Sequence, residues 1–132
     1  MLFRSLVWQR LREADAALVG VAGLGRSVYV DRGVLTRGDM AQLQELGAVG
    51  EICGRFFDHQ GRECRSRWRD RCISIELDCI RRIPQVIGVA AGADRAPAVA
   101  AALRGGLLRS LLIDDQGARA LLALHPASRV KS

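Results

Sequence analysis

The chain is most informative at Val86-Ile-Gly-Val-Ala-Ala-Gly-Ala-Asp94, where an apolar run passes through small residues to an acid. A short apolar run beside glycine is typical of a buried strand. Apolar residues then recur at helical spacing until Gly105-Gly106 ends the pattern, namely Ala96, Val99, Ala100 and Leu103. This segment therefore predicts a buried strand, a tight turn and a helix in direct succession.

The same alternation of apolar runs and amphipathic stretches continues on both sides. Strands are predicted over residues 17–22, 49–57, 72–75 and 110–113, and helices over residues 6–15, 77–83 and 118–122. Thr36 and Asp39 are spaced as a capping box, so they predict the start of a further helix, which Gly47 ends. Strands that alternate with helices indicate an α/β fold with a largely parallel sheet and flanking helices.

Length and composition indicate one modest globular domain. The chain has 132 residues, of which 49% are hydrophobic and 26% are charged. The longest nearly uncharged runs, residues 16–25 and 86–93, are about half as long as a membrane span. No signal-peptide pattern begins the chain, so we expect a soluble, cytoplasmic protein without a membrane partner.

The formal net charge is +6, and the densest arginine cluster lies between Arg62 and Arg71, around Trp68. Arginines beside an aromatic ring can bind phosphates and stack on bases, so one interpretation is a nucleic-acid site. The alternative is a solvated loop or edge whose arginines pair with nearby carboxylates. No recognition helix or RNA-binding signature accompanies the cluster.

Cysteines and histidines form no metal-binding pattern in the sequence. The four cysteines include no C-x-x-C pair, and His59 and His125 do not complete a zinc-ligand set. Cys53 and Cys72 fall in apolar surroundings, where a free thiol acts as a small hydrophobe. We therefore expect reduced, structural cysteines, no metal and no cofactor.

Two segments offer groups that could bind a ligand at the carboxyl ends of the strands. The turn around Gly92 lacks bulky side chains, and Arg95 falls in the first turn of the next helix, where the helix dipole favours an anion. Such turns also occur for packing alone. Glu51 lies in an apolar, glycine-rich segment and could accept hydrogen bonds from sugar hydroxyls or pair with Arg55. Asp114 is typical of a helix N-cap.

Five blocks of this sequence, between about residues 14 and 122, follow a known order. They are Gly47-Ala-Val-Gly-Glu-Ile-Cys-Gly-Arg-Phe-Phe-Asp58, Ile73-Ser-Ile-Glu-Leu77, Arg81-Arg-Ile-Pro-Gln-Val-Ile-Gly-Val-Ala90, Ala101-Ala-Leu-Arg-Gly-Gly-Leu-Leu108 and Leu111-Leu-Ile-Asp-Asp115. The first block resembles GAVGDICGRFFD, a signature of the SorC/DeoR-type sugar-responsive transcriptional regulators of bacteria. One block alone would be unspecific, whereas five in order make a specific resemblance.

The resemblance implies a Rossmann-like effector domain of the sugar-isomerase type, which binds a phosphorylated sugar and is not an enzyme. In that family, the basic residue after the glycine-rich turn meets the effector phosphate, which corresponds to Arg95 beside Gly92. The acidic residue of the signature contacts sugar hydroxyls and corresponds to Glu51. Arg32 and Gly33 fall near a further effector-contacting loop.

The chain also departs from the family pattern. Ala91 stands where glycine is usual and Arg95 where lysine is usual, so we expect a shifted ligand preference. The helix-turn-helix and the first half of the effector domain have no counterpart, so residues 1–132 are expected to form one partial effector domain. Residues 1–5 resemble translated sequencing-adapter DNA, and residues 126–132 are interpreted as a loose tail. DNA would be bound only through the absent helix-turn-helix, and the full-length protein is expected to be a homo-oligomer.

The main alternative is an enzyme on the same scaffold, a sugar-phosphate isomerase or deaminase. Such chemistry needs a positioned acid and base near the reacting carbons. Glu51 could be one of them, but the sequence offers no convincing partner group.

Overall fold

The computed structural model describes residues 2–125 of the chain. These residues contain two three-stranded β-sheets. The parallel sheet has the order β1 (Ala16–Gly20), β5 (Gln85–Ala90), β6 (Ser110–Ile113). The antiparallel sheet has the order β2 (Ala22–Gly23), β3 (Ala48–Ile52), β4 (Arg55–Asp58). Val21 alone separates β1 from β2, so the chain passes from one sheet to the other within a single residue.

Seven α-helices precede, connect or follow these strands within residues 2–125. They are α1 (Leu2–Arg12), α2 (Val28–Asp31), α3 (Arg37–Glu45), α4 (Arg67–Arg71), α5 (Leu77–Arg82), α6 (Ala96–Arg104) and α7 (Asp115–Leu124). Two 3₁₀ turns, Leu24–Arg26 and Ala93–Arg95, precede α2 and α6. In the described part of the chain, no helix has the length and hydropathy needed to cross a bilayer.

Small side chains bring α6 into close contact with β3. A Cβ atom on Gly50 would lie 2.7 Å from the Cβ atom of Ala98 and 2.7 Å from the Phe57 ring, so only glycine fits. The buried residues of α6 are mostly alanines, and Val99 joins them in the core. Leu103, which the sequence pattern places on the inner face, is instead exposed.

The parallel sheet buries one face and leaves much of the other open within the described chain. Leu18, Val89 and Leu112 point to the open face, with exposed fractions of 71%, 40% and 61%. The alternate residues Val19 and Val86 belong to the core. Parallel sheets in α/β proteins normally have both faces covered. Those three exposed side chains therefore mark an apolar surface.

The predicted α/β class is confirmed, and so are the strand, turn and helix around Gly92. The capping box is also confirmed, because Thr36 Oγ1 accepts from the Asp39 N–H and Asp39 accepts from the Thr36 N–H. The prediction of one continuous strand over residues 49–57 is wrong, since these residues form a hairpin that turns at Cys53-Gly54. Both turn residues have positive φ, 53° and 78°, which is the geometry of a type I′ turn.

Two further strand predictions also differ from the structure. Residues 17–22 are divided between β1 and β2, and residues 72–75 form no strand. The latter segment is held instead by Arg55, which donates to the Ser74 carbonyl at 2.8 Å and pairs with Glu63 at 3.0 Å. Arg55 is thus not the partner of Glu51 that the sequence allowed. The predicted tail, residues 126–132, lies outside the described residues.

The arginine cluster comprises a loop and the short helix α4, and several of its side chains are paired with carboxylates. Arg62 pairs with Asp58, Arg69 with Glu63 and Arg71 with Asp39. Trp68 is buried in the core beneath them, so its ring is not available for stacking on bases. Carboxylate pairing, the second interpretation of this segment, is the one that the structure supports.

Candidate functional site

The carboxyl ends of β5 and β6 are joined by a hydrogen bond from the Gly92 backbone N–H to the Asp114 side chain. Gly92 has φ +95°, a value that favours glycine, and its N–H donates to Asp114 Oδ1 at 3.0 Å. The same oxygen accepts from the Gly117 N–H at 2.9 Å and so caps α7. These hydrogen bonds lower the pKa of Asp114. The prediction that Asp114 is an N-cap is confirmed, and the turn after β5 is held by the start of α7.

Arg95 lies at the end of the 3₁₀ turn after Gly92 and occupies the N-cap position of α6, where its side chain makes no capping hydrogen bond. Its Nη1 atom donates to the Val21 carbonyl at 3.0 Å, which directs the guanidinium towards the junction of the two sheets. Its Nε atom is buried and has no hydrogen-bond partner among the described residues. Buried donors are normally paired, so a buried N–H without a protein partner is an unusual feature of this position.

Glu51 belongs to the antiparallel sheet, opposite Ala22 of β2. It is buried, with an exposed fraction of 8%, and accepts a hydrogen bond from the Gly54 N–H. Burial raises the pKa of Glu51, while hydrogen bonds from Gly54 and Ser27 and the positive charge of Arg95 act in the opposite direction. Glu51 and Arg95 therefore lie close enough to interact electrostatically, although one belongs to β3, the other to the turn after β5, and they are 44 positions apart.

Two site residues were not predicted from the sequence. Ser27 is fully buried, hydrogen-bonds to Glu51 and caps α2 by accepting from the Tyr29 N–H. Tyr29 lies close to the hairpin turn, since a Cβ atom on Gly54 would be 2.9 Å from its hydroxyl. Burial and then the charge of Glu51 raise the pKa of Tyr29. The serine before Val28 is a possible cap signal in the sequence, but its contact with Glu51 is formed only by the fold.

The structure brings together Glu51, Gly92 and Arg95, but Arg32 and Gly33 are less closely involved. Both lie just after α2, and both are exposed. Gly33 has φ +65° and donates to the Val30 carbonyl, so its structural role is to end the helix. Among the described residues, no hydrogen bond or ion pair joins Arg32 to Glu51 or Arg95.

The remaining candidate groups do not add a metal site. All four cysteines are free thiols, and no group of three or more His, Cys, Asp or Glu side chains within residues 2–125 could hold a metal ion. Cys53 is exposed at the hairpin turn, so the expectation of apolar surroundings is wrong for it. His59 is exposed in the turn after β4.

The parallel sheet and the polar groups at its carboxyl edge define an α/β ligand-binding domain. Residues 5–123 match the model of a family described as "Putative sugar-binding domain". Because that match covers most of the sequence, the chain belongs to this sugar-binding domain family.

Named relatives and solved structures agree with the family match. The deoxyribonucleoside regulator of Bacillus subtilis is 43% identical over 112 residues, which cover 84% of this chain and 36% of the relative. A DeoR family transcriptional regulator from Listeria monocytogenes superposes with a TM-score of 0.87 at 29% identity, over 92% of this chain and 50% of the other. The full-length sorbitol operon regulator SorC from Klebsiella pneumoniae gives a TM-score of 0.75 at 25% identity, over 92% and 42%.

These comparisons confirm the resemblance to SorC/DeoR-type regulators. The relatives are named as transcriptional regulators rather than as enzymes. The chain spans 36% of the curated relative and at most half of the two solved chains. Activities of the longer proteins are therefore not properties of this chain alone.

Proposed function

We propose that this chain is the effector-sensing part of a sugar-responsive transcriptional regulator and that it binds a phosphorylated sugar. The observation that carries the proposal is that Arg95, with its unpartnered buried Nε–H, lies close enough to the buried Glu51 carboxylate to interact with it electrostatically. A guanidinium suits phosphate oxygens, and a carboxylate suits sugar hydroxyls. The two groups face the same junction between the sheets.

In this proposal, each polar group has a separate task. Arg95 binds the phosphate at the N-terminus of α6, where the helix dipole adds attraction. Gly92 keeps the preceding turn free of a Cβ atom, and Glu51 accepts from the hydroxyl groups. Arg32 and Gly33 lie on a loop that would need to approach the ligand, so we assign them a secondary role.

The whole regulator would extend beyond this sensing part. We propose that residues 1–132 correspond to one partial effector domain and that a helix-turn-helix elsewhere in a longer protein reads DNA. Cytoplasmic location and assembly into homo-oligomers follow from the same proposal. Support comes from the family match and from the named regulators, each of which is longer than this chain.

A thermal-shift titration of the 132-residue chain tests the sensor function. The probes are ribose 5-phosphate, 2-deoxyribose 5-phosphate, glucose 6-phosphate and fructose 6-phosphate, with the free sugars and inorganic phosphate as comparison. A ligand at a hundred times its dissociation constant should stabilise the fold by about 2.7 kcal/mol. We expect one sugar phosphate to do so and both Arg95→Ala and Glu51→Ala to abolish the effect.

Two exposed residues outside this edge provide matched controls. Arg82→Ala and Glu45→Ala remove the same charges, from the ends of α5 and α3, and should leave the titration unchanged. Equal stabilisation by inorganic phosphate and by every sugar phosphate would show unspecific anion binding. A cooperative melt that no sugar phosphate shifts would contradict effector binding by this chain.

An isomerase or deaminase is the second candidate, and one observation favours it. Burial raises the pKa of Glu51, which is the direction that a carboxyl group acting as a general acid requires, and the Tyr29 hydroxyl lies near the same hairpin turn. We nevertheless propose a sensor without turnover. Incubation with the four sugar phosphates, followed by product analysis, decides this: isomerisation lost in Glu51→Gln would establish an enzyme.

A further inference from the structure

The arginine-rich helix α4 contacts the hairpin turn next to Glu51 of the proposed effector site. Its buried residue, Trp68, donates from Nε1 to the Gly54 carbonyl at 2.8 Å. The N–H of the same glycine donates to the Glu51 carboxylate. Gly54 therefore lies between the indole of Trp68 and the side-chain carboxylate of Glu51.

Hydrogen bonds restrain the peptide groups on both sides of Gly54. Gly54 has φ +78° and no side chain, so its two peptide groups could rotate if they were not anchored. Its N–H is fixed by Glu51 and its carbonyl chiefly by Trp68, with a weaker contact from Cys72 Sγ at 3.4 Å. Tyr29 closes the remaining side, with its ring centroid 5.2 Å from that of Trp68.

Helix α4 is itself firmly attached. The Arg71 guanidinium lies 5.4 Å from the Trp68 ring centroid, and its Nη2 atom is 2.6 Å from Asp39 Oδ1. The Arg67 N–H donates to Gln42 Oε1 at 3.0 Å, which adds a second link to α3. The indole is thus presented to Gly54 from a fixed support.

We propose that Trp68 is a positioning residue for the effector site: it holds the Gly54–Arg55 peptide and thereby restrains the adjoining Cys53–Gly54 peptide, whose N–H orients Glu51 towards the ligand. The proposal rests on the assignment of Glu51 to effector binding. It gives the arginine-rich segment a role: α4 supports the sugar-recognising hairpin instead of contacting nucleic acid.

The test measures the Glu51 carboxylate directly and needs no ligand. The Gly54 hydrogen bond favours the ionised form of Glu51, so its loss should raise the pKa of that carboxyl. Ser27, Tyr29, Arg95 and Cys53 also face Glu51, and none of them is changed. The pKa is read from the pH dependence of the Glu51 side-chain carbon resonance by NMR.

Trp68→Phe removes the donor and keeps an aromatic ring beside Tyr29. We expect the Glu51 pKa to rise by about one unit and the Gly54 amide resonance to move. Replacement of Trp68 by benzothienylalanine, which has sulfur in place of the N–H, gives the same test with nearly unchanged shape if the phenylalanine variant does not fold. The control is Arg62→Met, which loses the ion pair with Asp58 outside α4 and leaves the support of the indole intact, so the Glu51 pKa should stay constant.

Ligand binding adds a separate readout. If ribose 5-phosphate or another probe stabilises the wild type, Trp68→Phe should weaken its affinity about tenfold, whereas Arg62→Met should not. If no probe binds, the sensor function fails, and the Glu51 pKa still decides the positioning role. An unchanged Glu51 pKa in a folded variant without the indole N–H would overturn the proposal.

Discussion

The Oδ1 atom of Asp114 lies 3.0 Å from the backbone nitrogen of Gly92, and this contact joins the start of α7 to the turn after β5. The same oxygen caps α7 through Gly117. Asp114→Ala should therefore lower the melting temperature and also loosen the turn that precedes Arg95. Asp114→Asn keeps an acceptor and should restore most of both effects.

The neighbouring acid provides the control for this prediction. Asp115 forms only an exposed pair with Arg119, so Asp115→Ala should change little. Amide NMR spectra report the state of the turn, and a thermal melt reports stability. An unaltered Gly92 amide in Asp114→Ala would contradict the proposed link.

The Asp39 carboxylate should make stability depend on acid pH. The hydrogen bond from Arg71, followed by those from Thr36, lowers the pKa of Asp39 to about 2. A carboxyl whose pKa is lowered by folding adds stability that is complete above its ordinary pKa, about 3.9. This stability is lost as the pH falls from about 4 to about 2. Asp39→Asn should cost about 1 kcal/mol at neutral pH and flatten the acid dependence.

Chemical denaturation between pH 2 and pH 7 measures this effect. Asp115→Asn is again a suitable comparison, because both partners of its ion pair are more than 70% exposed. Parallel pH profiles for the wild type and Asp39→Asn would show that the capping box does not couple to protonation.

Gly50 should be intolerant of even one added carbon. A Cβ atom there would lie 2.7 Å from the Ala98 Cβ atom, which is fixed on α6. Gly50→Ala should therefore destabilise the fold by about 1–3 kcal/mol, as overpacked cores do. Gly20→Ala is the matched control, since a Cβ atom there would meet no described residue within 4 Å apart from its chain neighbours. Urea denaturation should separate the two variants, and equal midpoints would contradict the packing of α6 on β3.

Cys53 occupies a turn position that suits asparagine or glycine better than cysteine. Its φ of 53° lies in the left-handed region, and Gly54 follows it in the two-residue turn. Because Asn-Gly is the preferred type I′ pair, Cys53→Asn should raise the melting temperature. Cys53→Val should lower stability by about 1–3 kcal/mol, because a β-branched residue is strained there. Valine and asparagine variants with the same melting temperature would exclude this turn geometry.

The sequence predicts the regular parts of the fold well because each has a local cause. The apolar run ending at Ala90, the capping box at Thr36 and the double glycine at residues 105–106 act over a few positions. The hairpin at residues 49–57 escaped prediction because a continuous apolar run resembles one strand. Its turn depends on Cys53 at positive φ, a conformation that cannot be predicted from a cysteine in the sequence.

The site was predicted in part for a related reason. Glu51, Gly92 and Arg95 carry their chemistry in motifs, whereas Ser27 and Trp68 acquire their roles through contacts across 24 and 14 positions. Nothing in the local pattern around Trp68 distinguishes a buried support from an exposed stacking surface. The two alternatives are distinguished only by tertiary contacts, namely the ion pair of Arg71 with Asp39 and the burial of the Trp68 indole.

Val21, the single residue between the two sheets, has both backbone groups engaged with different partners. Its N–H donates to the Val89 carbonyl at 3.0 Å, and its carbonyl accepts from Arg95 at 3.0 Å. Both partners belong to the segment that runs from β5 to the start of α6, so the two bonds attach the crossing residue to the parallel sheet at the point where the chain leaves it. Deuterium uptake at the Val21 amide should therefore report the opening of this attachment.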